Sequence, residues 1–127
     1  MSILADAPVS AGLPASDIAR AKAFYQQTLG LPAVQEFEDS LVFACGDGSM
    51  LFVYPSEFAG TNQATAAGWR VGDIEAAMEE LRSRGVTFEE YDMPGLRTVD
   101  GIATLGPTRS AWFKDTEGNI LALVQPG

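Results

Sequence analysis

Histidine is absent from the 127 residues, and cysteine occurs once, as Cys45. The first absence removes the commonest metal ligand and the usual proton carrier near neutral pH, so any chemistry must run without imidazole. The second excludes an internal disulfide and leaves packing to hold the fold, which agrees with a reducing compartment. Basic residues are also scarce: eight against seventeen acidic ones give a formal charge of −9. Such a chain repels phosphate backbones and anionic lipid surfaces, so neither nucleic acid nor membrane is an expected partner. Long apolar runs are missing as well. The stretches Leu41 to Cys45 and Met50 to Tyr54 stop far short of the ~20 residues of a membrane-spanning helix. Met1 to Pro8 carries Asp6 and lacks the basic flank and apolar run of a secretory leader. The expected location is cytoplasmic.

What is present is enough apolar material, 46% of the residues, for one domain over 1–127 and too little chain for two ordinary ones. The chain repeats itself once. Ser16-Asp17-Ile18-Ala19-Arg20-Ala21 finds a counterpart 56 positions later in Gly72-Asp73-Ile74-Glu75-Ala76-Ala77. Asp17 and Asp73 suit helix N-caps, whose carboxylates accept free amide hydrogens of a first turn. Ile18, Ala21, Phe24 and Tyr25, and then Ile74, Ala77, Met78 and Leu81, recur at the spacing of one buried helical face. Gly30 and Gly85 end the two helices.

Short β-rich segments surround each helix: Val9 to Ala15, Ala33 to Phe37, Leu41 to Cys45 and Met50 to Tyr54, then Ala64 to Val71, Val86 to Glu90, Ser110 to Lys114 and Ile120 to Val124. The pattern is β-α-β-β-β twice, an α+β fold, with repeat one at about 7–58 and repeat two at about 63–127. The second copy is longer by 91–109, where Pro94-Gly95, Asp100-Gly101 and Gly106-Pro107 indicate a loop with a short strand near Ile102. Its length and its apolar residues make it an expected lid. The turn Asp115 to Asn119 sets Trp112 opposite Ala122 and Ser110 opposite Val124. Asp47-Gly48, read as a two-residue turn, sets Phe43 opposite Phe52 and Cys45 opposite Met50.

The two Asp-Ile helix openings, Ala23-Phe24-Tyr25 through Leu29-Gly30-Leu31, and Phe113-Lys114-Asp115-Thr116-Glu117-Gly118-Asn119 together resemble the vicinal oxygen chelate superfamily of glyoxalase, bleomycin-resistance and extradiol-dioxygenase proteins, from about Val9 to Gln125. The resemblance implies eight main strands curled into an incompletely closed cup, helices outside and a ligand in the concavity. It also implies where a metal would be held: on the first strand of each repeat, seven residues before the helix-opening Asp, and on the last strand of each. Those positions carry Ser10 and Ala66, then Phe52 and Ala122. One hydroxyl and three apolar side chains offer a divalent cation neither charge nor coordination number. No metal and no other cofactor is therefore expected, and the Lewis-acid chemistry of metal-bearing members loses its centre. The competing arrangement is a site elsewhere among the carboxylates, such as Glu89, Glu90 or Asp100.

Strand alternation turns Phe52, Tyr54, Trp112 and Ala122 inward, with Arg70 on the face of Ala66 and the lid adding Tyr91 and Met93. These residues, Phe52, Tyr54, Arg70, Tyr91, Met93 and Trp112, are the expected ligand contacts. Each has a plainer role open to it: an ion pair for Arg70, core filling over Ala122 for Trp112. Trp69 has the opposite parity and should pack on the helices, and Cys45 has no basic neighbour to activate it. The leading expectation is a binding protein that encloses a small hydrophobic or aromatic compound. The alternative is a metal-independent isomerase, lyase or hydrolase acting on a small carbonyl compound through Arg70, Tyr54 or a lid carboxylate. A third reading is a regulatory partner domain whose cup is filled by its own side chains. Related chains commonly pair, so the resemblance also implies a homodimer.

Overall fold

The structure, a computed structural model, describes residues 3–127. The parts of the domain and leader expectations that concern residues 1 and 2 lie outside the described residues. Repeat one runs β1 (Ser10–Ala15), α1 (Ile18–Ala23), a π-helical turn (Phe24–Thr28), β2 (Ala33–Glu36), β3 (Leu41–Ala44) and β4 (Met50–Pro55). Repeat two runs β5 (Thr65–Arg70), α2 (Ile74–Ser83), β6 (Asp92–Met93), β7 (Leu96–Val99), β8 (Ile102–Leu105), β9 (Thr108–Lys114) and β10 (Ile120–Gln125). The strands form two sheets, in orders β1-β4-β3-β2 and β5-β10-β9-β8-β7-β6, and do not close into a barrel. No helix among the described residues is long and apolar enough to cross a membrane.

The helices begin where the repeated motif places them. Asp17 Oδ1 accepts from the Arg20 amide at 3.1 Å, and Asp73 Oδ1 from the Ala76 amide at 3.0 Å. Gly30 and Gly85 end the helical segments at φ of 75° and 93°, a region that costs glycine little. Ile74, Met78 and Leu81 are the buried face of α2, each side chain contributing about 1.5 to 3 kcal/mol by leaving water. Along the strands, Leu13, Phe43, Val53, Phe113 and Leu121 face the helices and join one core that runs through both repeats. Residues of the other parity form the opposite, cup-side face.

Three expectations change. Val86 to Glu90 is no strand: its one ladder contact is the bridge Phe88↔Phe113. The place beside β9 is filled by β8, so the order β5-β10-β9-β8 matches β1-β4-β3-β2 with a strand from later in the chain. The expected lid loop at 91–109 is consequently a meander, giving ten strands where eight were expected. Its three Gly-containing dipeptides are hairpin turns of two residues, between the pairs Met93↔Leu96, Val99↔Ile102 and Leu105↔Thr108. Asp100 and Gly101 both have positive φ, at 53° and 82°, as the tight turn matching strand twist demands.

The third change is a register. The pairs are Val42↔Phe52, Phe43↔Leu51 and Ala44↔Met50, one residue away from the expected set. Gly46, Asp47 and Gly48 form a three-residue turn in which Asp47 takes a φ of 55°. The shift puts Phe43, fully buried, with Leu51 on the helix side and leaves Phe52 on the cup side. Trp112↔Ala122 and Ser110↔Val124 are paired as expected.

Candidate functional site

The cup-side faces carry two aromatic pairs, one on the first sheet and one between the second sheet and the residue that precedes β6. On the first, Phe52 and Tyr54 alternate along β4 and stack at 5.7 Å with an interplanar angle of 15°. Gly12, paired with Phe52 on β1, leaves open the space beside the Tyr54 ring: an added Cβ would stand 3.6 Å from Tyr54 Cε1. At the second sheet Tyr91 meets Trp112 nearly at right angles, with ring centroids 5.6 Å apart. Burial, and then the charge of Glu89, raise the Tyr91 pKa above the usual phenol value against the pull of Lys114. The Tyr91 hydroxyl is therefore protonated at neutral pH and able to donate a hydrogen bond.

Trp112 is fixed by a partner that sequence reasoning missed. Its Nε1 donates to Thr65 Oγ1 at 3.1 Å. To reach β5 from β9 the indole crosses β10, and the small Ala122, flanked by Gly68 on one side and Trp112 on the other, lies beneath that crossing. Thr65 stands there because β5 bulges: Ile120 pairs with Thr65 but Leu121 with Ala67, so Ala66 is the extra residue. The Ala66-Ala67-Gly68 run was the available signal, since small residues tolerate such a break, but it does not say where the extra residue falls.

The other expected contacts are more dispersed. Arg70 ends β5, is exposed, and pairs with Val124 across the ladder. Met93 lies on β6, the outermost strand, and is 51% exposed. Of the metal positions, Ser10 is exposed, Phe52 and Ala66 half-buried and Ala122 buried. They do not fit a divalent metal: one hydroxyl oxygen is the whole donor set. Among the described residues no three His, Cys, Asp or Glu side chains converge. Two of the alternative carboxylates have other partners. Glu89 pairs with Lys114, while Glu90 accepts from the Thr98 hydroxyl at 2.6 Å and from the Gly101 amide at 2.8 Å.

Two cavities open on the helix side. One, of about 840 Å³ and flanked by charge, lies between α2 and the meander, where Arg109 pairs with Glu75. The other is apolar, of about 220 Å³, and lies where the π-helical turn ends against α2 and β5.

The Phe113 to Asn119 segment of the resemblance has a structural task. Asp115, 7% exposed, accepts from Tyr25 Oη at 2.5 Å and from the amides of Glu117 and Asn119 at 2.8 Å each. Burial and the Asp115 charge raise the Tyr25 pKa, which keeps that hydroxyl a donor. Asn119 Nδ2 reaches the Pro14 carbonyl in β1 at 2.9 Å. Glu117 accepts from the Ser16 and Asp17 amides at 2.9 Å each and from Arg20 Nε at 2.8 Å. Burial alone would raise the Glu117 pKa, but these hydrogen bonds, Arg20's foremost, outweigh it and hold the pKa at about 2.

Two mixed sheets of β-α-β-β-β origin that do not close into a barrel, with the helices packed against one face, define the class. The glyoxalase/bleomycin resistance protein/dioxygenase superfamily model matches residues 8–123. The chain belongs to that superfamily. Among solved structures, TnmS3, an antibiotic binding protein from Streptomyces sp. CB03234, is 25% identical, with a TM-score of 0.67 over 100% of this chain and 99% of that one. A bleomycin resistance determinant encoded on the transposon Tn5 is 20% identical, with a TM-score of 0.73 over 94% and 98%. Lactoylglutathione lyase from Agrobacterium tumefaciens is 18% identical, with a TM-score of 0.68 over 94% and 93%. The last two likenesses concern the fold. No curated protein sequence matches significantly.

Proposed function

We propose that the protein binds a small hydrophobic or aromatic compound in its cup without a metal. The observation that carries this reading is the pinned indole: Trp112, held by Thr65 over Ala122, is a flat apolar surface on the cup face, whose metal positions offer one hydroxyl as their whole donor set. Phe52, Tyr54 and Tyr91 add ring surface, and Tyr91 adds a hydroxyl donor to a ligand oxygen. The likeness to an antibiotic binding protein supports binding as the task. The lone thiol Cys45 is consistent with a cytoplasmic setting.

Thermal-shift titration with a panel of planar aromatic compounds tests this. A ligand that raises the melting temperature of the native protein should lose most of its effect in Trp112→Ala and keep it in the presence of a chelator. A panel without any shift, or binding abolished by the chelator, would count against the reading. The same reading includes a homodimer, because a single chain leaves Val34, Phe37, Phe58 and Leu105 at least half exposed. Light scattering that returns only the mass of one chain at micromolar concentration would remove that part.

A further inference from the structure

The apolar cavity on the helix side is separate from the cup. Leu29 and Leu31 come from the end of repeat one's helical segment, Trp69 and Val71 from β5 and its exit, and Ala77 and Leu81 from α2. The cavity therefore sits on the seam between the repeats, with the sheet between it and the cup. Its mouth is bordered by Glu80, which accepts from Arg84 Nη2 at 3.2 Å, while Arg84 Nη1 donates to the Thr28 carbonyl at 3.1 Å. Arg84 thereby ties α2 to the end of the π-helical turn beside the opening.

Four features of the cavity describe what it would take. Its volume of about 220 Å³ falls below the ~300 Å³ at which pockets for drug-sized ligands begin, so the guest has one or two rings. The Trp69 ring, backed by Phe113 at 6.4 Å and 20°, makes one side flat. The remaining wall is mostly leucine, valine and alanine, with Arg70 and Glu80 the charged residues among its lining, so a charged group lying on the apolar part would be desolvated there. The fourth feature is polar. Whereas Trp112 Nε1 is bound to Thr65, Trp69 Nε1 has no acceptor among the described residues. It is also not a buried unsatisfied donor, so it is open to a guest or to water.

We infer that this cavity is a second small-molecule site, taking an uncharged one- or two-ring aromatic compound that presents one acceptor oxygen to Trp69 Nε1. Occupancy replaces water on the leucine wall and gives the free indole donor its acceptor, two gains that need no rearrangement of the cup.

The two tryptophans separate the sites experimentally. Uniformly ¹⁵N-labelled protein has two indole N–H resonances, assigned with Trp112→Phe, and acetophenone and ethylbenzene serve as probes with and without the oxygen. Acetophenone should move the Trp69 resonance and give nuclear Overhauser contacts to the Leu29 and Leu31 methyls. Ethylbenzene should bind about fivefold more weakly, the worth of one hydrogen bond. Ala77→Phe, which fills the cavity, should weaken acetophenone binding by about tenfold or more and leave the Trp112 resonance in place. A probe response confined to Trp112, or a saturating probe without contacts to Leu29 and Leu31, would overturn the inference. The contacts decide the matter in the native protein even if Ala77→Phe fails to fold. Because Trp112 reports on the cup, failure here and failure of cup binding are distinguishable.

Discussion

The hairpin joining Ala44 to Met50 and the hairpin joining Lys114 to Ile120 occupy equivalent places in the two sheets. In the first, Gly46, Asp47 and Gly48 are exposed, and the Ser49 hydroxyl closes the turn locally on the Gly46 carbonyl at 2.6 Å. In the second, Asp115, Glu117 and Asn119 are buried and bind Tyr25, Ser16, Asp17, Arg20 and Pro14, all in the other repeat. The helices show the same imbalance. The Ser16 and Asp17 amides, just before α1, are met by Glu117 of repeat two, whereas the Ile74 amide of α2 is met by Gln125 of its own repeat at 2.8 Å. The repeats thus share a backbone plan but not a junction: one turn ends a hairpin, and the other fastens the two halves together.

Breaking the second turn should cost most. Asp115→Ala leaves the Tyr25 hydroxyl, the Asn119 side chain and two amides without their acceptor. Urea denaturation should register a loss of about 3 kcal/mol or more. Asp47→Gly, at an exposed position already in the left-handed region, should change stability by no more than about 0.5 kcal/mol. Similar losses in the two variants would mean that the turns are equivalent after all.

Glu117 gives the junction a pH dependence. Its folded pKa of about 2 lies below the ordinary 4.5. Its stabilisation is therefore complete above the ordinary value and lost as pH falls from about 4.5 towards 2. Glu117→Gln should lower stability at pH 7 by about 3 kcal/mol. It should also flatten the stability profile across the acid range. An unchanged acid limb in that variant would assign the limb to other carboxylates.

Glycines sharpen the contrast at smaller cost. A Cβ on Gly118, at a φ of 86°, would stand 2.9 Å from Gly60 Cα, whereas one on Gly48, at 75°, would meet nothing within 4 Å. Gly118→Ala should cost about 2 kcal/mol and Gly48→Ala about 1 kcal/mol, the backbone strain alone. Small too is the effect of Thr65→Val, which frees the Trp112 indole from its acceptor. Melting should show a loss of about 1 kcal/mol or less, with a larger proportional effect on a cup ligand than on the fold.

By itself the sequence determined the two helices, the doubled unit and the identity of most strands, because caps, apolar spacing and end glycines act within a few residues of one another. Pairing across Asp115 to Asn119 was countable for the same reason, and it placed Trp112 over Ala122 correctly. The segment 91–109 held three legible turn dipeptides, yet only the finished sheet decided that they join strands, since β8 gains its ladder from β9 and has little burial of its own. The one-residue shift between β3 and β4 was decided by Phe43 and Leu51 seeking the core, a choice the Asp47-Gly48 signal does not contain. The functional face was split in the same way. Aromatic residues at alternating positions were visible along the chain, but Thr65 beside Trp112 depends on a bulge, and the cavity at Trp69 on two helical segments meeting at the seam. Contacts such as Glu117 with Arg20 join residues far apart in sequence, and no local preference specifies a partner at that distance. Only the closed core, bringing both repeats together, could.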